Sequence, residues 1–169
     1  MNLPPSPFQD RSLADYARRL RSGEIRARSA TRALLARIEA NDAKLRAYTF
    51  VDAGRALARA EALDRLLAAD IDLGPLMGVP IAVKDLFSVD GMPTTAGSEV
   101  DIADLVAPQG RFIDRLQRAG CVILGKTATT EFALGGFNLK RPPPSRGSSH
   151  PSCARPRDRT GSTAVAASG

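Results

Sequence analysis

The chain has 169 residues, 43% of them hydrophobic and 25% charged, which suits a globular domain or part of a larger one and excludes a disordered tail. No apolar run approaches the ~20 residues of a membrane helix, Met1 to Asp10 has no basic and apolar regions of a secretory signal, and Cys121 and Cys153 form no metal or redox spacing, so a cytoplasmic protein without metal is expected. The formal charge of +6 would suit a nucleic-acid binder, but residues 1–138 carry 18 Lys+Arg against 17 Asp+Glu, and the excess sits in residues 139–169, with six basic residues and one acidic, no aromatic interleaving and no nucleic-acid motif.

Ser12 reads as an N-cap with Asp15 as its capping acid. Leu13, Tyr16, Ala17 and Leu20 follow at helical spacing, and Gly23 ends that helix. Ser29 is expected to cap a second helix, with Ala30, Leu34, Leu35 and Ile38 facing inward and Asn41 and Asp42 breaking it. Tyr48 to Val51 suits a short strand. An Ala- and Leu-rich helix runs from about Ala53 to Ala69. These helices read as core packing with a solvated basic face.

At Gly74 the texture changes. Gly74, Pro75, Gly78 and Pro80 punctuate the chain, which then enters the apolar run Ile81 to Val83, a buried strand by its length and borders. Lys84 and Asp85 stand at its carboxyl end, the side where open α/β sheets bind ligands. Gly91 to Ser98 is a loop. Arg111 to Ala119 is an amphipathic helix with Phe112, Leu116 and Ala119 on one side, stopped by Gly120. Cys121 to Leu124 is a second buried strand, and a further helix begins at Glu131 to Leu134. Beyond Leu139 the character changes. Lys140 to Thr160 has almost no apolar side chains, three consecutive prolines, the only histidine, His150, and five arginines; it reads as irregular or disordered. Gly161 to Gly169 is small and apolar.

Two lysines invite chemistry. Lys126 closes Gly120-Cys121-Val122-Ile123-Leu124-Gly125-Lys126-Thr127, which matches the phosphate-loop pattern letter for letter. That pattern needs a pliable loop after a strand, its amides turned toward phosphate. Here the intervening residues favour a buried strand and follow a helix, so the nucleotide reading is set aside. Lys84 is the candidate catalytic residue. The apolar approach Val79 to Val83 suggests a buried stem, and burial disfavours a charged ammonium, which makes a lysine usable as a general base.

Gly74-Pro75-Leu76-Met77-Gly78-Val79-Pro80-Ile81-Ala82-Val83-Lys84-Asp85 resembles the lysine-bearing motif of the amidase signature family. Thr94-Thr95-Ala96-Gly97-Ser98 resembles that family's next loop, and Arg115 to Gly120, Gly125-Lys126-Thr127 and Glu131-Phe132-Ala133 resemble the helix, strand and turn that follow. The N-terminal helices fit around Arg37-Ile38-Glu39, so the resemblance covers about residues 12–139. It implies an α/β fold, here an incomplete amidase-signature fold with a mixed β-sheet covered by helices and N-terminal helices. It implies hydrolysis of a small-molecule amide to a carboxylic acid and ammonia or an amine, with no metal and no cofactor. The family's Ser–Ser–Lys triad makes Lys84 the base, acting through a bridging serine on the nucleophilic serine, with backbone amides stabilising the oxyanion. The A subunit of glutamine-dependent tRNA amidotransferase shares fold and triad and is an alternative, as is a non-catalytic remnant. The run Ala128-Thr129-Thr130-Glu131-Phe132 resembles stand-alone amidases more than that amidotransferase component.

The chain departs from the family in two places. Met77 stands where family members usually have His. The segment bearing the bridging serine should fall near residues 152–165, and alignment on Gly161-Ser162 puts Asp158 in that serine's place. The nucleophile would lie beyond Gly169, so this chain is expected to be inactive alone. The expected organisation is residues 1–139 as the N-terminal part of an amidase domain, 140–160 as an irregular segment, shifted in reading frame or a true loop, and 161–169 as a small apolar remnant of the signature segment. Substrate identity and oligomeric state are not legible.

Overall fold

The computed structural model describes residues 6–8 and 12–135. The readings placed on residues 140–160 and 161–169, including Asp158 and Ser162, lie outside the described residues. Helix α1 is Leu13–Arg21, α2 Ala27–Leu45, β1 Tyr48–Val51, α3 Ala53–Ala68, β2 Pro80–Lys84, α4 Arg111–Arg118 and β3 Val122–Thr127. Single 3-10 turns occupy Ala103–Leu105 and Glu131–Ala133. The three strands form one mixed sheet in the order β1-β3-β2; β3 runs antiparallel to β1 and parallel to β2.

The middle strand is middle because it is apolar on both sides. Val122, Ile123 and Leu124 are all buried, the pattern of a strand covered on both faces rather than one. Val122 and Leu124 join Tyr16 and Leu20 of α1, Ala27 and Ala30 of α2, and Ala56, Ala60 and Leu63 of α3 in the larger core. Ile123 joins Val83, Val89, Met92 and Ile113 of α4 in the smaller one. Alanine at the α2–α3 contact lets the helices approach closely. Gly125 lets β1 approach β3, since a Cβ there would lie 2.1 Å from the Phe50 carbonyl oxygen.

Local signals hold where the partner is close in sequence. The Ser12 hydroxyl accepts from the Asp15 amide at 3.2 Å, and Gly23 adopts a φ of +75° just beyond α1. Distant partners account for three differences from the sequence expectation. Helix α2 begins at Ala27, not after Ser29, because the Asp64 carboxylate of α3 accepts from the Ala27 and Arg28 amides at 2.7 and 3.0 Å. Asn41 and Asp42 do not break α2. It continues to Leu45, and the buried Asp42 carboxylate takes the Ala47 and Tyr48 amides at 2.8 and 3.0 Å, steering the chain into β1. In α4 Ile113 is buried in the cluster with Val83 and Met92 and Leu116 packs against it as expected, while Phe112 is 56% exposed and stacks on Phe87 at 5.3 Å.

Two further boundaries differ. The strand expected at Cys121 to Leu124 runs Val122–Thr127, so it carries Lys126 within it. The helix expected from Glu131 is one 3-10 turn, because Phe132 and Ala133 both adopt positive φ, 49° and 58°, which an α-helix cannot continue.

Candidate functional site

Residues Pro80 to Lys84 pair in parallel with Val122 to Thr127, with Val83 opposite Lys126 and Lys84 opposite Thr127. Side chains alternate along paired strands. Lys84 and Lys126 therefore leave opposite faces of the sheet, one position apart. Their surroundings differ accordingly.

Lys126 is fully buried. Its Nζ lies 2.9 Å from Asp85 Oδ1, donates to the Thr94 hydroxyl at 2.7 Å and to the Pro93 carbonyl at 3.0 Å. Three acceptors match the three protons of an ammonium. Asp85 is fully buried too, and its carboxylate also accepts from the Thr95 hydroxyl at 2.6 Å and the Thr95 amide at 3.3 Å. A charge pair with both members removed from water persists only when each is saturated in this way. The phosphate-loop match is thereby explained. Its lysine is committed to Asp85 inside the sheet, and the residues between its glycines are strand.

Lys84 is exposed, contrary to the buried stem expected from its approach. The reason is the alternation. Val83 and Asp85 are buried on one face, whereas Ala82 and Lys84 point to the other and are exposed. Among the described residues the Lys84 side chain makes no hydrogen bond or ion pair. Its carbonyl accepts from the Leu86 and Phe87 amides at 2.7 and 3.0 Å, which turns the chain sharply at the strand end.

The loop after this turn is pinned to the end of β3. The Phe132 amide donates to the Ala96 carbonyl at 2.7 Å, and the Ser98 hydroxyl donates to the Glu131 carboxylate at 2.9 Å. Gly97 has a φ of +71°, and a Cβ there would stand 2.6 Å from the Thr129 carbonyl oxygen, so glycine is required twice over. Ala96, Phe132 and Ala133 hold positive φ without being glycine, backbone strain of the kind that gathers at functional sites.

Cavities flank the sheet. One of about 400 Å³ is lined by Leu86, Phe87, Thr94, Ile102, Phe112 and Phe132, and adjoins the Lys126 cluster through Thr94. Another of about 450 Å³ lies beside Arg55, Arg59, Met92, Cys121 and Ile123. Burial pushes the Cys121 thiol above its ordinary range, with Arg59 opposing weakly, so it is a poor nucleophile. Met77 is not at the site. It is fully buried in the larger core, and its sulfur accepts from the Leu73 amide at 3.1 Å. Among the described residues no cluster of His, Cys, Asp and Glu could hold a metal ion, and no helix is long and apolar enough to cross a membrane.

Sequence reasoning places the strand end and its loop but misses the Asp85–Lys126 pair. The signal is present in Lys126 itself, a lysine in an otherwise apolar strand, which needs a buried counter-charge.

The Amidase family model matches residues 29–141. The chain is 45% identical over 122 residues to the A subunit of the glutamyl-tRNA(Gln) amidotransferase of Streptomyces coelicolor, a match covering 72% of this chain and 24% of that protein. It is 41% identical over 128 residues to the 2-amino-5-chloromuconic acid deaminase of Comamonas testosteroni, covering 76% and 28%. The peptide amidase of Stenotrophomonas maltophilia superposes with a TM-score of 0.69 at 34% identity, covering 76% of this chain and 26% of that one. The chain thus spans about a quarter of the length of the relatives it matches.

Proposed function

The chain belongs to the amidase family, and on that premise we propose that it is the N-terminal part of an amide hydrolase whose base is Lys84. The observation that carries this reading is Lys84 itself, at the carboxyl end of β2, exposed and with no side-chain partner among the described residues, while a buried charged cluster lies on the opposite face. A general base needs a free amine on a fixed backbone. Lys126, saturated by Asp85, Thr94 and Pro93, does not meet the first condition.

In the reaction implied by the family resemblance, the Lys84 amine takes a proton from a bridging serine, which takes one from the nucleophilic serine. The nucleophile's oxygen bonds to the amide carbon, the carbon–nitrogen bond breaks, and the proton passes to the departing nitrogen. Water then releases the carboxylic acid from the acyl-serine and restores the serine. Both serines would come from outside the described residues. The exposed face around Ala82 and Lys84 is where such segments would lie. The substrate is a small amide, and the location a cytoplasmic one.

The 45% identity to an amidotransferase component supports a second reading, in which the amide is glutamine and the ammonia is passed on. A family-length protein carrying residues 12–135 separates them. Turnover of simple aliphatic or aryl amides favours the first, and glutamine as the sole ammonia donor favours the second.

The 169-residue chain itself is proposed to release no ammonia from either class of amide above buffer, since it spans about a quarter of the length of the relatives it matches. Clear turnover by this chain would overturn that. Residues 140–160 are proposed to be a shifted frame: one base inserted or deleted in the coding DNA across residues 139–161 should restore a Gly-Gly-Ser-Ser-like segment. No such segment in any frame would overturn that.

A further inference from the structure

We propose that Lys126 is a positioning residue for the candidate site: its ammonium locks the loop 93–98 beneath the strand end that presents Lys84. The inference rests on the reading of Lys84 as the base, but its geometry stands separately. Asp85 follows Lys84 directly, so whatever fixes Asp85 fixes the backbone from which Lys84 projects. Asp85 is fixed by Lys126 on one side and by the Thr95 amide and hydroxyl on the other. Lys126 in turn holds Thr94 and Pro93. Five contacts, from Lys126 to Asp85, Thr94 and Pro93 and from the Thr95 amide and hydroxyl to Asp85, thus join β2, β3 and the loop around one buried charge pair, and each involves a charged group, the stronger kind.

The lysine is needed for its number of donors. A methionine of the same length would fill the volume and leave Asp85, Thr94 and Pro93 without their proton donor. The loop so held carries Gly97, packed against the Thr129 carbonyl, and Ser98, bonded to Glu131. Loop and turn 131–133 therefore form one rigid floor under the site, with Lys126 as its anchor. The apolar cavity beside Thr94 opens onto the same floor.

Native-state hydrogen exchange on the 169-residue chain tests this. Thr94→Val removes one acceptor of Lys126 and keeps the Asp85 pair, so the fold is expected to survive; Thr94→Ser restores the hydroxyl. The Thr95, Gly97 and Ser98 amides should exchange about ten-fold faster or more in Thr94→Val, in proportion to one lost charge-assisted hydrogen bond. The Val122 and Ile123 amides should be unchanged, and Thr94→Ser should return the loop to the parent rate. Loop exchange unaltered in Thr94→Val, equal acceleration of loop and β3 amides, or no rescue by Thr94→Ser would each overturn the proposal. None of these outcomes depends on amide turnover, so this test and that of the amidase reading fail separately.

Discussion

Lys84 and Lys126 stand one register position apart on paired parallel strands, yet one is exposed and the other is fully buried against Asp85. The pair divides the labour of the strand end. One lysine is a structural charge, committed within the sheet, and the other is exposed with no side-chain partner among the described residues.

The buried charge gives the first prediction. Lys126→Met leaves Asp85 with an uncompensated charge in the interior, and the cost should be about 3–5 kcal/mol. Replacing both members, as in Lys126→Met with Asp85→Leu, should cost clearly less than Lys126→Met alone. Urea unfolding of the two variants checks this; a double variant as unstable as the single one would mean that the charge is not what matters.

A second prediction concerns alkaline pH. The Tyr16 hydroxyl is buried and donates to the Gly78 carbonyl at 2.9 Å. Burial, with a smaller contribution from the Asp64 carboxylate, pushes the Tyr16 phenol above its ordinary range. The folded chain therefore keeps a proton that the unfolded chain surrenders at about pH 10. Tyr16 stabilises the fold fully below that pH, and its contribution is lost as the pH rises through the window. Tyr16→Phe should cost about 1 kcal/mol at pH 7 for the lost hydrogen bond but flatten the fall in urea midpoint from about pH 10 upward. Tyr48, raised by its own burial and by Asp42, remains in both proteins and sets the residual slope.

The third concerns association. Phe87, Leu105, Phe112, Phe132 and Leu134 are exposed, the last at 79%, and among the described residues β2 is an edge of the three-stranded sheet. Exposed apolar surface beside an unpaired strand edge favours self-association. The purified chain should sediment as concentration-dependent oligomers, and Phe112→Ser with Leu105→Ser should shift it toward monomer. A monomer at all concentrations, with a sharp cooperative melt, would contradict this.

How much is legible in the sequence follows from the distance over which each residue is satisfied. Ser12 caps a helix three residues away, so its role can be read directly. Asp64 caps a helix that begins 37 residues earlier, and Asp42 caps the exit from its own helix rather than breaking it; neither partner is visible in a local pattern. The β2 run is recognisable from its borders, but period-two alternation, applied to Val83, Lys84 and Asp85, is what puts Lys84 on the face opposite the core. In α4, residues 112 and 113 both offer an apolar series, and only the seat beneath Val83 and Met92 selects Ile113. The strand end as a site is legible from the motif; the ion pair beneath it requires the fold to bring positions 85 and 126 together.

The most direct test of Lys84 is a chimera in which residues 12–135 replace the matching segment of the Stenotrophomonas maltophilia peptide amidase, which superposes at a TM-score of 0.69. With the intact segment, the chimera should hydrolyse an amide. Lys84→Ala in that chimera should lower kcat about 10²-fold or more, the scale of a lost general base, with the melting temperature unchanged, because the Lys84 side chain is exposed and makes no hydrogen bond or ion pair among the described residues. An active chimera whose Lys84→Ala variant turns over within two-fold, roughly 0.4 kcal/mol in barrier, would contradict the assignment of Lys84 as the base.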